Sequence, residues 1–528
     1  MIMAKTRIGK YAIENLTRSM YEDSRCIYRE FIQNAADQID EARALHLDPN
    51  DYYDIQISID AEHRRITVED NATGVSKDKV AILKDVACSQ KKRGEHKGFR
   101  GIGRLGGLGY CSKLTFVTSF KGEDVKTIMH WDAEKIISIV DDETNDSEAS
   151  EVIDACVSFE TKPENIDKHY FLVIMDNVKD DELLNTEAIC NYLSMVAPVD
   201  YPTCFAQFGH KIKRYMEQNN LTLDTYNLFV NGDQIYKGYT TRIIDKLGDY
   251  DINDIKFFEK SDEDGKFIYW GWYSISEMKG QIKANNIPYG MRLRCKNIQI
   301  GDENTCKKFF RNEGDKRFAQ YFYGEVNVVA SNLQPDGRRD YFRPGKERIE
   351  FEKYLTNDFL KLKELCYDAT TLRVAAKKVS TAVNGQKTIQ QREEKGFVNE
   401  AEKQQNLLAY EKYARDKAKY AQQFQQKKSK MEQEESPLSF MLQLLEQHTP
   451  ELTTAKQSKV ITQTSAQDNK LQELTHTGLR TDREIYAKYG NKEKKVINIV
   501  YDAVYEAIAD AQIRDSLINR IEAALTEQ

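Results

Sequence analysis

Arg29-Glu30-Phe31-Ile32-Gln33-Asn34-Ala35-Ala36-Asp37 is the stretch on which the reading of this chain turns. Glu30, Asn34 and Asp37 stand at i, i+4 and i+7, so a helix stacks two carboxylates and an amide along one face. Ile32, Ala35, Ala36 and Ile39 fill the opposite side, which predicts an amphipathic helix seated on a core. Taken alone, such a stripe is the ordinary solvated face of a helix. Two later motifs, arriving in a fixed order, give it another meaning.

The first is Val68-Glu69-Asp70-Asn71-Ala72-Thr73-Gly74-Val75. It follows the alternating run Ile55-Gln56-Ile57-Ser58-Ile59 and then Arg65-Ile66-Thr67-Val68, which read as two strands. An Asp that ends a strand before a small-residue turn sets a fixed carboxylate at the mouth of a pocket. Such an acceptor suits an exocyclic amine like that of adenine; the bland alternative is an Asp-Asn turn. The second is the densest glycine cluster of the chain, Lys97-Gly98-Phe99-Arg100-Gly101-Ile102-Gly103-Arg104-Leu105-Gly106-Gly107-Leu108-Gly109-Tyr110. Glycines let backbone N–H groups wrap phosphate oxygens, and Arg100 and Arg104 add cations. The cluster is not a dinucleotide fingerprint, because the acidic residues lie upstream of it, and no GxxxxGK[ST] loop is present. A hinge or surface loop is its structural alternative.

In this order the three motifs resemble the GHKL superfamily, which groups DNA gyrase, the ninety-kilodalton heat-shock chaperones, histidine kinases and MutL. The run from Arg29 through Gln38-Ile39-Asp40-Glu41-Ala42-Arg43 is most similar to the chaperone branch. The resemblance implies a chain of α+β class with a Bergerat-type ATP-binding α/β sandwich, and magnesium-dependent hydrolysis of ATP. It implies that Glu30 is the general base for the attacking water, that Asn34 is a magnesium ligand, that Asp37 braces that end of the site and that Asp70 reads the adenine amino group. Residues 76–104 would form an ATP lid. Its phosphate-binding candidates are Gly98, Arg100, Gly101, Gly103, Arg104, Gly106, Gly107 and Gly109, with Gly74 in the preceding motif. Ala72 stands where the family usually has the first glycine of Asp-x-Gly-x-Gly, a replacement that is strained if the position needs φ > 0. Phe171-Leu172-Val173-Ile174-Met175 carries no threonine of the kind the family often places near adenine. The basic run Lys91-Lys92-Arg93, with Lys97, reads as the solvated face of the lid.

Further along, Val328-Val329-Ala330-Ser331-Asn332-Leu333-Gln334-Pro335-Asp336-Gly337-Arg338-Arg339-Asp340 resembles the chaperones' second-domain segment. Leu333 and Arg339 fall at the spacing of its leucine and arginine. The resemblance makes Arg339 the cation brought to the γ-phosphate, with Arg338 as second choice; an exposed Arg-Arg turn is the alternative.

Length, 528 residues, predicts two to four domains, and 40% hydrophobic content supports a sizeable core. The reading divides the chain into an ATP-binding domain (1–180), a helical connector (181–225) and an α/β transducer (226–345). Beyond these it places long helices or coiled coil (346–435), a linker (436–480) and a C-terminal helical segment (481–528). Leu228-Phe229-Val230-Asn231-Gly232-Asp233-Gln234-Ile235-Tyr236 predicts a hairpin on an Asn-Gly turn at the start of the transducer. Tyr269, Trp270, Trp272 and Tyr273 read as sheet packing rather than a base-stacking platform. Helices are predicted over 347–379 and 397–431, and residues 496–525 form a strongly amphipathic segment that needs a partner surface.

Nine cysteines without CxxC pairs predict a reducing cytoplasm and no disulfide framework or zinc site, with Cys26, Cys88 and Cys111 as small buried hydrophobes. No leader pattern is seen and no apolar run approaches about 18 residues, so no membrane span is expected. A net charge of −7 gives no global attraction to nucleic acid, although a local basic patch would permit DNA. The expectation is a homodimeric, chaperone-like ATPase clamp with an unnamed protein client, with prokaryotic antiviral defence as one setting. A MutL- or microrchidia-like DNA-associated clamp and a nucleotide-binding scaffold without turnover are the alternatives.

Overall fold

A short helix, α1 (Tyr11–Thr17), precedes α2 (Cys26–Ala44), the helix that carries Glu30, Asn34 and Asp37. Its Ile27, Phe31, Ile32, Ala35, Ala36 and Ile39 are buried, as the periodicity requires. The computed structural model describes residues 7–17, 22–88, 97–98, 101–246, 248–454, 474 and 477–526. The chain forms two units, Met1–Lys363 and Glu364–Gln528.

In the first unit α2 packs on a mixed eight-stranded sheet of order β5-β4-β3-β6-β2-β1-β7-β8. The strands are β1 (Asp54–Asp60), β2 (Arg65–Asp70), β3 (Lys113–Ser119), β4 (Val125–Asp132), β5 (Val157–Pro163), β6 (Tyr170–Asp176), β7 (Asn227–Val230) and β8 (Asp233–Gln234). Alternating Ile55, Ile57, Ile59 and Ile66, Val68 point to the core under α2. The β1–β2 register sets Asp70 opposite Ile55 at the sheet's end.

The Asn-Gly hairpin forms as predicted, with Asn231 at φ +49° and Gly232 at φ +90°. It belongs, however, to the first sheet: β7 lies parallel to β1, pairing Ile55 with Leu228 and Ile57 with Val230. A parallel neighbour needs a long crossover. Helices after β6, including Thr186–Val196 and Ala206–Gln218, supply it.

A second, five-stranded sheet follows, of order β11-β12-β15-β13-β14. It consists of β11 (Asp254–Ser261), β12 (Phe267–Ile275), β13 (Gly290–Cys295), β14 (Ile298–Ile300) and β15 (Tyr323–Val328), after a two-stranded ribbon of β9 (Arg242–Ile243) and β10 (Tyr250–Asp251). Trp270 and Trp272 are buried with Tyr201, Phe205 and Tyr239, so these aromatics pack the sheet. Beneath them lies a wholly buried ionic knot. Glu325 pairs with Lys237 at 2.9 Å and with Arg294 at 2.7 Å, and Tyr201 donates to it at 2.8 Å. Despite burial, Arg294 and Lys237 hold the Glu325 carboxyl down to about 2.

The remainder of the chain is helical. One helix runs over Lys346–Lys395, longer than the 347–379 predicted, because its polar end (383–395) contains no proline to stop it. Asn399 caps the next, Glu400–Gln433, which buries Leu407, Tyr410, Ala421, Phe424 and Met431. The amphipathic C-terminal segment is two helices, Asn491–Ala507 and Ala511–Thr526. The predicted linker (436–480) begins instead with a helix, Ser439–His448, and a short turn of helix, Glu451–Thr454, while 455–473 and 475–476 lie outside the described residues. Among the described residues no helix is long and apolar enough to cross a membrane.

Candidate functional site

From α2, Glu30, Gln33 and Asn34 line a cavity of about 160 Å³. Its other wall comes from the second sheet: Leu333, Gln334 and Arg339 beyond β15, and Cys295 and Lys296 at the β13–β14 turn. An adjoining cavity of about 130 Å³ shares Asn34 and Arg104 and is otherwise mostly apolar, lined by Phe31, Ala35, Val68, Val75, Leu83, Phe171 and Val173. Asp70 is its one carboxylate among the described lining residues, and is buried. A mostly apolar slot with one buried carboxylate, beside the amides of Asn34 and Gln38, suits a purine bearing an exocyclic amine. Asp70 Oδ1 accepts from Ala72 N at 3.1 Å. Ala72 is not among the positive-φ residues, so alanine in place of the family's usual glycine is unstrained here.

At the Glu30 end, Gln33 Nε2 donates to Glu30 Oε1 at 3.3 Å and Arg29 Nη2 lies 3.6 Å from the same oxygen. Gly103 is packed so closely that a Cβ would fall 2.3 Å from Glu30 Oε2, while one at Gly98 would meet Asn34 Oδ1 at 3.4 Å. Gly101 lines the same cavity at φ +71°, against the Cys88 carbonyl. Gly98, Gly101 and Gly103 are therefore brought together with Glu30 and Asn34.

Other candidates lie elsewhere. Gly106 and Gly107 are buried in the turn Gly103–Gly109, with Gly107 against Phe31 and Met175 of the core. Neither they nor Gly109 or Gly74 line either cavity. Gly74, at φ +66°, abuts the Ser119 carbonyl. Arg104 lines both cavities but gives its guanidinium to the carbonyls of Ile82 (3.1 Å), Leu83 (3.2 Å) and Asp85. Arg100 and the run Lys91-Lys92-Arg93 are outside the described residues. Cys111 is buried and Cys26 partly so, but Cys88 is exposed, against expectation.

Asp37 faces the start of the glycine segment instead of the cavity: Oδ1 accepts from Lys97 N at 2.7 Å and Oδ2 from Gly98 N at 3.0 Å. Lys97 itself is no solvated lysine; its side chain is 2% exposed, because Asp40 and Asp224 pair with it at 2.6 and 2.9 Å. Arg339 Nη2 donates to the Lys97 carbonyl at 2.5 Å, and Arg339 Nη1 is buried with no hydrogen-bond partner among the described residues. Burial lowers the guanidinium's pKa, with Cys295 and Glu30 opposing. Arg29 Nη2 donates to Arg338 O at 2.7 Å, so α2 holds the loop at the residue before Arg339. Gln33, Lys97, Cys295 and Lys296 are among the lining residues that motif reading does not assign to the site. Gln33 and Lys97 adjoin motifs, whereas Lys296, at φ +52° in a turn without glycine, leaves no sequence signal.

A magnesium–nucleotide pair fits this set: an amide oxygen beside a glycine-lined space, with a buried, half-satisfied guanidinium facing it. Among the described residues no three-member cluster of His, Cys, Asp or Glu could hold a metal alone.

The sheet, α2 and this cleft define a GHKL-type ATPase domain. Residues 27–162 match the family described as histidine kinase-, DNA gyrase B-, and HSP90-like ATPase. Among named proteins, the chain is similar to the chaperone protein HtpG of Rhodococcus jostii, 29% identical over 187 residues, covering 30% of this chain and 27% of that protein. It is 21% identical over 320 residues to the chaperone protein HtpG of Shigella dysenteriae, covering 56% of this chain and 47% of the relative. The matches thus span less than half the length of these relatives.

Proposed function

We propose that the chain is a chaperone-like ATPase, with adenine in the Asp70 slot and the triphosphate directed toward Glu30. The observation that carries this reading is the convergence of Glu30, Asn34, Gly98, Gly103 and Arg339 on one cavity, from a helix, a glycine turn and a second sheet. Glu30, steadied by Gln33 and Arg29, orients the attacking water and takes its proton. Asn34 supplies a neutral oxygen to magnesium, which when bound offsets phosphate charge. The free Nη1 of Arg339 meets charge developing on the γ-phosphate from a desolvated position, where such a contact is strong. Because Arg339 comes from the second sheet, turnover reports on closure between the two sheets.

The clamp reading adds a homodimer joined through the C-terminal helices. Val496, Ile499 and Val500 are exposed apolar side chains on Asn491–Ala507, as are Ile513 and Leu517 on Ala511–Thr526. A self-complementary contact through such side chains is two-fold. Service in antiviral defence belongs to the same reading, and plaque counts on cells carrying wild-type or Glu30→Ala protein test it.

The decisive experiment is steady-state hydrolysis beside equilibrium ATP binding. Glu30→Ala is expected to abolish turnover and keep nucleotide affinity, because the base orients water and holds no phosphate. Undiminished hydrolysis, or lost binding, overturns the assignment.

A further inference from the structure

Four stretches of the chain meet at Lys97. Its amide and that of Gly98 are held by Asp37 of α2, and its carbonyl accepts from Arg339 beyond the second sheet. Its ammonium lies between Asp40 of α2 and Asp224 of the segment before β7, 5.0 Å from the Tyr226 ring centre. Tyr226 Oη in turn donates to Asp40 Oδ1 at 2.6 Å, and the Asp224 carbonyl accepts from Asn297 Nδ2 at 2.7 Å, next to the cavity-lining Lys296. The two carboxylates keep the lysine charged although burial opposes it. Asp40 and Asp224 are 47% and 39% exposed, and ion pairs with partners so screened add little net stability, so stability alone is a poor account of this arrangement. What it does fix is the place of one carbonyl, and that carbonyl holds half of the Arg339 guanidinium while the other half stays free.

We propose that Lys97 is a positioning residue for Arg339: clamped by Asp40 and Asp224, it sets the carbonyl against which the arginine is aimed, so the cation reaches the phosphate end only when this edge of the glycine segment is docked. The proposal rests on the ATPase reading and assigns to it a residue outside the catalytic set.

The test is a double-mutant cycle in the full-length protein, reading kcat and KM for ATP. Lys97→Met is expected to lower kcat by roughly tenfold or more while KM moves by less than about threefold, the pattern of an interaction realised in the transition state. In the Arg339→Ala background the same substitution should change kcat by less than about twofold, since it acts through a group already removed. Lys97→Arg, which keeps the charge, should recover most of the turnover. An unchanged kcat in Lys97→Met, or a full additional loss in the double variant, overturns the proposal. If Lys97→Met loses its melting transition, Asp224→Asn takes its place in the same cycle with the same two outcomes. Failure of the ATPase reading looks different: the wild type would not turn over, or Arg339→Ala would be silent, and both ideas would fall together.

Discussion

Arg339 divides its guanidinium between a carbonyl and an open position, and a lysine could not do both. Arg339→Ala should therefore lower kcat strongly with little change in ATP affinity, and Arg339→Lys should recover only a minor part of it; single-turnover rates beside equilibrium binding check both. At the other end of the cleft, Asp70→Asn places an amide where an acceptor met an amine, and a mismatch of this kind costs about 1–3 kcal/mol of ATP binding. Calorimetry with ATP and GTP tests it, since a parent protein that binds the two equally has no adenine reader at Asp70. In the second sheet, Glu325 is wholly buried with its carboxyl held to about 2, below its ordinary value. A depressed carboxyl contributes stability that is full above its ordinary pKa and is lost as pH falls through the folded value, here from about 4.5 toward about 2. Glu325→Gln should flatten that acid limb and cost about 3–5 kcal/mol at neutral pH by leaving Arg294 and Lys237 uncompensated, which urea melts at several pH values measure.

Among the elements, α2 was legible because everything that defines it is local: a 3.6-residue period places both its core side and its polar stripe. Asp70 at a strand end was legible for the same reason. The burial of Lys97 was not, since its partners Asp40 and Asp224 are brought in by tertiary structure and a lysine beside glycines reads as solvent-facing. Nor was the home of the Asn-Gly hairpin: turn chemistry predicts that it forms, but pairing with β1 is a non-local event. That pairing changes what a truncation does. A fragment ending at residue 180 lacks β7 and leaves the Ile55 and Ile57 edge open, so it should melt lower and aggregate more readily than a fragment ending at residue 240, by scanning calorimetry and turbidity. The longer fragment, which has the first sheet but not Arg339, should bind ATP and hydrolyse it very slowly.

For the whole molecule, the clamp reading needs two protomers that stay joined when nucleotide leaves. Light scattering on the apo protein should give a dimer, and Ile499→Glu with Val500→Glu should give a monomer with the helical signal intact, because both side chains are exposed within one chain. A monomeric parent at micromolar concentration, with and without ATP, sinks the constitutive clamp. The path of the chain through the first sheet has a consequence of its own for biosynthesis. β6 ends at Asp176 and the strand that completes the β1 side begins only at Asn227. At about 5–20 residues per second, a ribosome takes roughly 3–10 s to cross that interval. Through those seconds the nascent β1 edge offers unpaired N–H and C=O groups to its surroundings, which makes translation speed over residues 177–226 a determinant of how much cleft-bearing protein a cell obtains.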